Sequence, residues 1–276
     1  MLMAKISRSV LPGFPLSMGI TLFWLGIIVL VPLSAVFAKS AAGGWQAFVA
    51  AAVSERALAA YKLSFGAALV GAAINCLFGL IVSWVLVRYD FRGKRLFGAT
   101  IDLPFALPTA VAGIALATLY ADTGLIGDQL AKVDLPIAYK PAAVVLALTF
   151  IGLPFVVRTL EPVLAEVSQE TEEAAMTLGA SRMQTIARVI LPTLLPALAT
   201  GFALAFARGA GEYGSVIFIA GNMPFHSEIA PLLIVTQLEE YDFAGAASIA
   251  VIMLLVSFTI LMVLNLLQHW QRKRMA

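Results

Sequence analysis

RTLEPVLAEVSQETEEAAMTLGASRMQTIAR, residues 158–188, is a polar, acid-rich break in an otherwise apolar chain, and its pattern decides how the segments around it are laid out. From Leu160 the apolar residues Val163, Leu164, Val167, Ala174 and Leu178 recur near helical spacing, while Glu161, Glu166, Gln169, Glu170, Glu172 and Glu173 fill much of the remainder. Such a pattern predicts an amphipathic helix lying along a surface. Ser168 stands where a helix cap would, and Glu170, Glu172 and Glu173 fall in the first turns, where carboxylates favour the positive end of the helix dipole. Gly179 supplies a left-handed residue to end the helix. Ser181 with Gln184 reads as a capping box that starts a second short helix, with Pro192 near the entrance to the next apolar run. The expected product is a helix, a sharp glycine turn and a helix, presented to water. A hairpin resting on lipid headgroups is the alternative, and the glutamates between 161 and 173 argue against it because anionic leaflets repel acidic helices.

The rest of the chain sets the class. Of 276 residues, 61% are hydrophobic and 12% charged, and the mean hydropathy is +0.94, too apolar for a soluble protein of this size. The reading is an all-α, polytopic membrane protein. Its net charge of +2 carries little meaning as an average, because charges in such a chain are sorted by side of the membrane. The one cysteine, Cys76, lies in an apolar run, which excludes an intramolecular disulfide and reads as a small buried residue.

A helix needs about 20 apolar residues to cross a bilayer. Six windows qualify as transmembrane helices: Leu16 to Ala38, Leu63 to Val87, Leu103 to Ala121, Pro141 to Val157, Leu194 to Ala220 and Phe243 to Gln268. The fourth has only 17 uncharged residues, and the fifth contains two charges. With both termini cytosolic, the inner segments hold Lys5, Arg8, Arg88, Arg92, Lys94, Arg95, Arg158, Arg182, Arg188, Arg272, Lys273 and Arg274, against Lys39, Arg56, Lys62, Lys132 and Lys140 outside. That bias follows the positive-inside rule and puts the 158–190 loop in the cytosol. Lys5, Arg8 and the apolar run before Val36 and Ala38 imitate a signal peptide, but the run is longer than a signal core of about 7 to 15 residues, so it is read as a retained anchor. The expected organisation is therefore residues 1–58 as a cytosolic segment, first transmembrane helix and outer loop, 59–267 as one five-helix transport domain, and 268–276 as a basic cytosolic tail. Trp45 and Tyr61 are expected at the membrane interface.

No chemistry-bearing constellation emerges. The chain has no G-x-x-x-x-G-K-[ST], so it does not cradle ATP by itself. His226 and His269 stand apart, without the neighbours a metal site needs. Features inside the spans point instead to a path. Pro104 and Pro108 stand at the start of span three, where each removes a backbone donor, so this helix should be kinked or unwound; that serves packing or a pathway equally. Glycines 66, 71 and 79 fit close helix contacts, with Asn75 and Ser83 facing the interior. Arg208 and Glu212 stand i and i+4 and can pair, lessening a cost of roughly 2.5–3.5 kcal/mol for each unpaired charge at mid-bilayer. Two roles stay open for them: Arg208 facing an anion with Glu212 fixing its rotamer, or an ion pair locking span five.

The string Glu173-Ala174-Ala175, then Gly179, then Val189 and Leu191-Pro192, resembles the EAA loop by which permease subunits of bacterial ABC importers engage their ATPase. Asp102 to Gly113, Pro154 to Thr159, Thr177 to Ala180, Ala207 to Asn222 and Leu11-Pro12-Gly13-Phe14 are similar to the T-type permeases of sulfate/thiosulfate importers. Molybdate permeases share the loop and a Gly-Glu-aromatic-Gly segment, but their span three has two adjacent prolines where this chain has Pro108-Thr109. The resemblance implies the transmembrane domain of a type I ABC importer in the bacterial cytoplasmic (inner) membrane. It implies a non-catalytic half-transporter with no cofactor of its own, and ATP and Mg held by a partner ATPase dimer. A homologous W-type permease would share the pathway, and a periplasmic sulfate/thiosulfate-binding protein would deliver the anion. Glu173, Ala174, Ala175, Gly179, Leu191 and Pro192 would couple the loop to the ATPase. Two other readings are a molybdate/tungstate-type oxyanion permease and a secondary anion carrier, which would show repeated halves that this sequence lacks.

Overall fold

The computed structural model describes residues 13–275, with side chains described for all of these except Gln169 and residues 269–275. Lys5, Arg8, Leu11 and Pro12 lie outside the described residues, as do the side chains of His269 and the basic tail. In chain order the helices are α1 (Phe14–Ala41), α2 (Gly44–Ala52), α3 (Glu55–Arg88), α4 (Lys94–Ile101), α5 (Leu103–Ala106), α6 (Thr109–Tyr120), α7 (Gly127–Lys132), α8 (Pro141–Glu166), α9 (Gln169–Thr177), α10 (Arg182–Ala210), α11 (Val216–Ile219), α12 (Ala230–Glu239) and α13 (Phe243–Met275). No strand occurs among the described residues. Five helices are continuous and apolar enough to span: α1, α3, α8, α10 and, as far as Gln268, α13.

Proline chemistry shapes these helices. The third expected span is interrupted rather than merely bent: α5 stops at Ala106, Leu107 is extended, and α6 begins at Thr109. The residue before a proline is pushed out of the helical region, and Pro108 does this to Leu107. In α1 and α10 a π-helical turn, Gly26–Leu30 and Ile186–Ile190, stands just ahead of Pro32 and Pro192. There the N–H groups of Val31 and Leu191 reach back five residues to Gly26 and Ile186. The wider turn makes room for a proline ring that would otherwise meet the carbonyl four residues earlier. The short second helix expected at Ser181 therefore continues through this turn into the span as one helix, α10.

Three further expectations change. The fifth span ends at Ala210, not Ala220, because Gly211 breaks the helix and a turn leads to α11. The stretch from Lys39 to Lys62 is helical over much of its length, and Tyr61, expected at the interface, is buried with its hydroxyl donating to the Ile249 carbonyl at 3.3 Å. Trp45 is exposed and stacks on Phe48.

Helices α3, α8 and α10 form the centre of the bundle. Their approach rests on small residues: a Cβ on Gly79 would stand 2.7 Å from Val156 Cγ1, and one on Gly201 would stand 3.0 Å from Val156 Cα. Gly71 likewise meets Leu148 and Thr149, whereas Gly66 meets nothing within 4 Å and is not a contact glycine. Asn75 is wholly buried opposite Gly152, whose missing side chain makes room for the carboxamide. Ser83 is buried and donates to the Val157 carbonyl at 3.3 Å. Around this centre, α13 packs on α10 and α12 and carries α1 and α2 on its flank. None of the most apolar window of α1 is buried, which suits a helix facing lipid.

Gly79→Leu should separate α3 from α8 and cost about 1–3 kcal/mol through overpacking, whereas Gly66→Ala should be neutral or mildly stabilising. Thermal unfolding of the two variants in detergent checks this; an equal effect would remove Gly79 from the contact.

Candidate functional site

The polar hairpin is built by local chemistry. Helix α8 ends at Glu166, Val167 and Ser168 are extended, and α9 starts at Gln169. Ser168 does not cap the backbone as expected, because its hydroxyl pairs with that of Thr171 at 2.9 Å. Glu170 and Glu172 occupy the first turn of α9, where the helix dipole favours them. At the other end, Gly179 N–H bonds the Met176 carbonyl and Ala180 N–H the Ala175 carbonyl, at 2.9 and 3.1 Å, with Gly179 at φ 84°. This is a Schellman closure, which needs a left-handed residue at Gly179. Ser181 and Gln184 form the expected capping box, Ser181 N–H donating to Gln184 Oε1 at 2.8 Å and Gln184 N–H to Ser181 Oγ at 3.3 Å.

What the hairpin shows to water is its tip. Glu173, Ala174, Met176 and Gly179 are exposed, Ala175 is half-buried, and Met183 is exposed. Leu178, placed by periodicity with the buried residues, is 89% exposed because α9 has already ended at Thr177. An exposed cap of Met176, Leu178 and Met183 around a glycine turn is an apolar knob rimmed with acid, a shape suited to a cleft on another protein. Leu191 and Pro192 stand apart from the tip, in the first turn after the π-helical segment of α10.

Arginines that the sequence reading counted only as inner charge tie this region to the bundle. Arg88, the last residue of α3, donates from Nη2 to the Val167 carbonyl at 3.1 Å and to Glu172 Oε1 at 2.5 Å, and its guanidinium lies 5.7 Å from the Trp84 ring. Arg158 of α8 grips Asp102 with two nitrogens, Nε lying 2.8 Å from Oδ1, and also bonds Glu161 and the Gly98 carbonyl. The interrupted helix is thus anchored just before Pro104 and Pro108. Long-range partners of this kind leave no periodic mark in a sequence; only the unlike charges at span ends hint at them.

Arg208 and Glu212 pair as expected, across the end of α10 rather than within it. Glu212 is buried and its other oxygen accepts from the Ser215 N–H at 3.0 Å and hydroxyl at 3.1 Å, so the carboxylate organises the turn after Gly211. Arg208 sits in the last turn, where a cation suits the helix dipole. The same turn packs on α6 almost backbone to backbone: a Cβ on Gly113 would stand 2.3 Å from the Ser215 carbonyl oxygen. No cluster of His, Cys, Asp or Glu able to hold a metal occurs among the described residues.

Residues 75–276 match the family described as binding-protein-dependent transport system inner membrane component. The sulfate transport system permease protein CysT of Escherichia coli (strain K12) is 45% identical over 265 residues, covering 96% of this chain and 96% of that one. Its counterpart in Synechococcus elongatus is 50% identical over 253 residues, covering 92% and 91%. In structure, a bacterial ABC transporter involved in the import of the acidic polysaccharide alginate superposes with a TM-score of 0.72 at 16% identity, covering 94% of this chain and 95% of that chain. The MetNI methionine ABC transporter, in an inward-facing conformation, gives 0.59 at 17% identity, covering 77% and 94%. These two likenesses show the fold, that of ABC importer transmembrane domains.

Arg208→Ala should cost about 1–3 kcal/mol, because it takes the cation from the buried Glu212, which keeps its bonds from Ser215, while Arg208 itself is half-exposed. Adding Glu212→Gln should recover more than half of that loss, since the amide keeps an acceptor for Ser215 and carries no charge. Unfolding midpoints of the single and double variants in detergent decide it; a double variant no more stable than the single would mean that the charge is not the cost.

Proposed function

The chain belongs to the binding-protein-dependent transport system inner membrane component family, and from that premise we propose that it is a permease subunit of an ATP-driven ABC importer carrying sulfate or thiosulfate across the cytoplasmic membrane. The observation that carries the reading is the exposed hairpin tip around Gly179, on a chain that matches sulfate permeases at 45–50% identity along nearly its whole length.

In this reading the tip, Glu173 to Gly179 with Leu178 and Met183, seats in a groove of a separate ATPase dimer that holds ATP and Mg, while this chain binds no cofactor. Ala174 and Ala175 allow close approach, and Gly179 supplies the turn. Closure of the ATPase dimer on ATP pushes the hairpin and opens the pathway outward; hydrolysis resets it. A homologous W-type permease supplies the other half of the pathway, and a periplasmic sulfate/thiosulfate-binding protein delivers the anion and sets most of the selectivity. The excess of Lys and Arg in the segments on the hairpin's side supports cytosolic termini. The Glu212 geometry supports a structural role for the Arg208 pair; a stable Arg208→Ala/Glu212→Gln protein that no longer imports anion would instead put Arg208 in the pathway.

Labelled sulfate uptake in cells lacking this gene should return when the chain is restored, with unlabelled thiosulfate competing more strongly than molybdate or tungstate. Rescue of molybdate import alone would make it a molybdate-type permease.

At Gly179 a Cβ meets nothing within 4 Å, so the cost of substitution is conformational, about 1–2 kcal/mol for a residue forced into the left-handed region. Uptake in membranes carrying equal amounts of the protein should therefore fall in the order Gly, Asn, Ala, Val, and a Val variant that imports as well as Gly179 would remove the turn from coupling.

A further inference from the structure

Helix α3 is held at both ends by arginine clamps. At the inner end Arg88 joins the Val167 carbonyl and Glu172, the only side-chain bonds that tie the α8–α9 break and α9 to α3 among the described residues. The pair is shielded, with side-chain exposures of 12% and 21%, and the Trp84 face one turn earlier fixes the guanidinium. At the outer end Arg56 grips Glu228 with Nε and Nη2, both at 2.7 Å, and Glu228 is buried. Glu228 closes a tight loop in which the N–H groups of His226, Ser227 and Glu228 all turn onto the Met223 carbonyl while Met223 N–H bonds Ser227 Oγ. The outer loop is therefore a rigid cap, and it leads directly into α12, whose first N–H bonds Ser64 of α3 at 2.8 Å.

The two arginines are 32 residues apart on one unbroken helix, about 48 Å at 1.5 Å per residue. Along that helix Gly71 and Gly79 lie close against α8 and the Asn75 carboxamide fills the space left by Gly152, so α3 is braced against bending and a displacement at one end is passed along it.

We propose that α3 is a connecting rod: Arg88 fixes it to the ATPase-facing hairpin and Arg56 fixes it to the outer loop, so that occupancy on one side of the membrane is communicated to the other. Arg88 and Arg56 are positioning residues that touch neither nucleotide nor anion. The proposal rests on the permease reading, because it supposes an ATPase at the hairpin and a delivery protein at the outer surface. Coupling is transmitted only if both clamps hold, so breaking either has the same effect as breaking both.

The test uses the whole complex, this chain with its second permease and ATPase, in liposomes, and measures ATP hydrolysis with and without sulfate-loaded binding protein, together with sulfate imported per ATP. Glu172→Gln and Glu228→Gln keep size and remove the charge that each arginine grips. Each should lower the stimulation of hydrolysis by loaded binding protein at least fivefold, with unchanged amounts of ATPase in the purified complex, and the double variant should lie within twofold of the singles. Arg88→Lys and Arg56→Lys keep charge but lose the fork and should fall between; they carry the test if a Gln variant fails to assemble. Stimulation equal to wild type, or losses that multiply in the double variant, would overturn the rod. A wild-type complex that retains no ATPase, or imports no sulfate with ATP, would overturn the permease reading itself.

Discussion

Val156 is where the bundle is held. Gly79 of α3 and Gly201 of α10 both close on this one residue of α8, at separations that leave no space for a side chain on either helix. With no hydrophobic driving force between helices in lipid, association depends on such close packing and on polar contacts. Once α3, α8 and α10 are fixed at this distance, their ends are fixed too, and only then do the charges at those ends meet: Arg88 with Glu172, Arg158 with Asp102, Arg56 with Glu228. The packing is buried and mostly apolar, with Asn75 and Ser83 as its polar members; the ion pairs lie toward its edges. One sets the geometry and the other selects among the arrangements it allows.

A second constraint acts on the backbone. In lipid, every N–H and carbonyl freed by a proline has to be satisfied inside the protein. The chain meets this in different ways. Pro32 and Pro192 follow π-helical turns that keep the helix continuous. Pro108 ends α5 and begins a new helix, and the break is held between the Arg158 clamp on Asp102 and the Gly113 contact with Ser215. The break follows the conformation of the residue before the proline and not its type: Leu107 is extended, whereas Leu191, also a leucine, and Val31 stay helical.

These contrasts explain what was legible in the sequence. Hydropathy displays long helices directly, and capping is local, so the Schellman turn at Gly179 and the capping box of Ser181 and Gln184 could be read from residues four or five apart. The interruption at Pro108 was legible for the same reason. Helix ends set by one residue were not: Gly211 looked like part of an apolar run, and Thr177 gave no sign that Leu178 would turn outward. Tyr61 reads as an interfacial aromatic until the fold brings Ile249 to its hydroxyl. Pairings such as Arg88 with Glu172, 84 positions apart, are invisible to any window that a single sequence offers. The tip of the candidate site was therefore readable, and its anchorage was not.

Arginine and lysine do different work in this bundle. Among the described residues, every ion pair that joins separate elements across the bundle uses arginine, at Arg56, Arg88 and Arg158, while the lysine pairs, Lys94 with Asp90 and Lys132 with Asp128, are local contacts four residues apart with at least one partner in water. A guanidinium presents a planar fork that can hold a carboxylate through two bonds and a carbonyl besides, and it sheds water more readily than an ammonium. Arg158 does this with Asp102, Glu161 and the Gly98 carbonyl together. Lysine neither sorts the chain across the membrane nor orients a helix end: Lys5, Lys94 and Lys273 in the expected inner segments are balanced by Lys39, Lys62, Lys132 and Lys140 outside, and a point charge fixes no orientation. Among the described residues, the orientation of helix ends across the bundle therefore rests on arginine, and each such guanidinium fixes its partner element by angle as well as by distance.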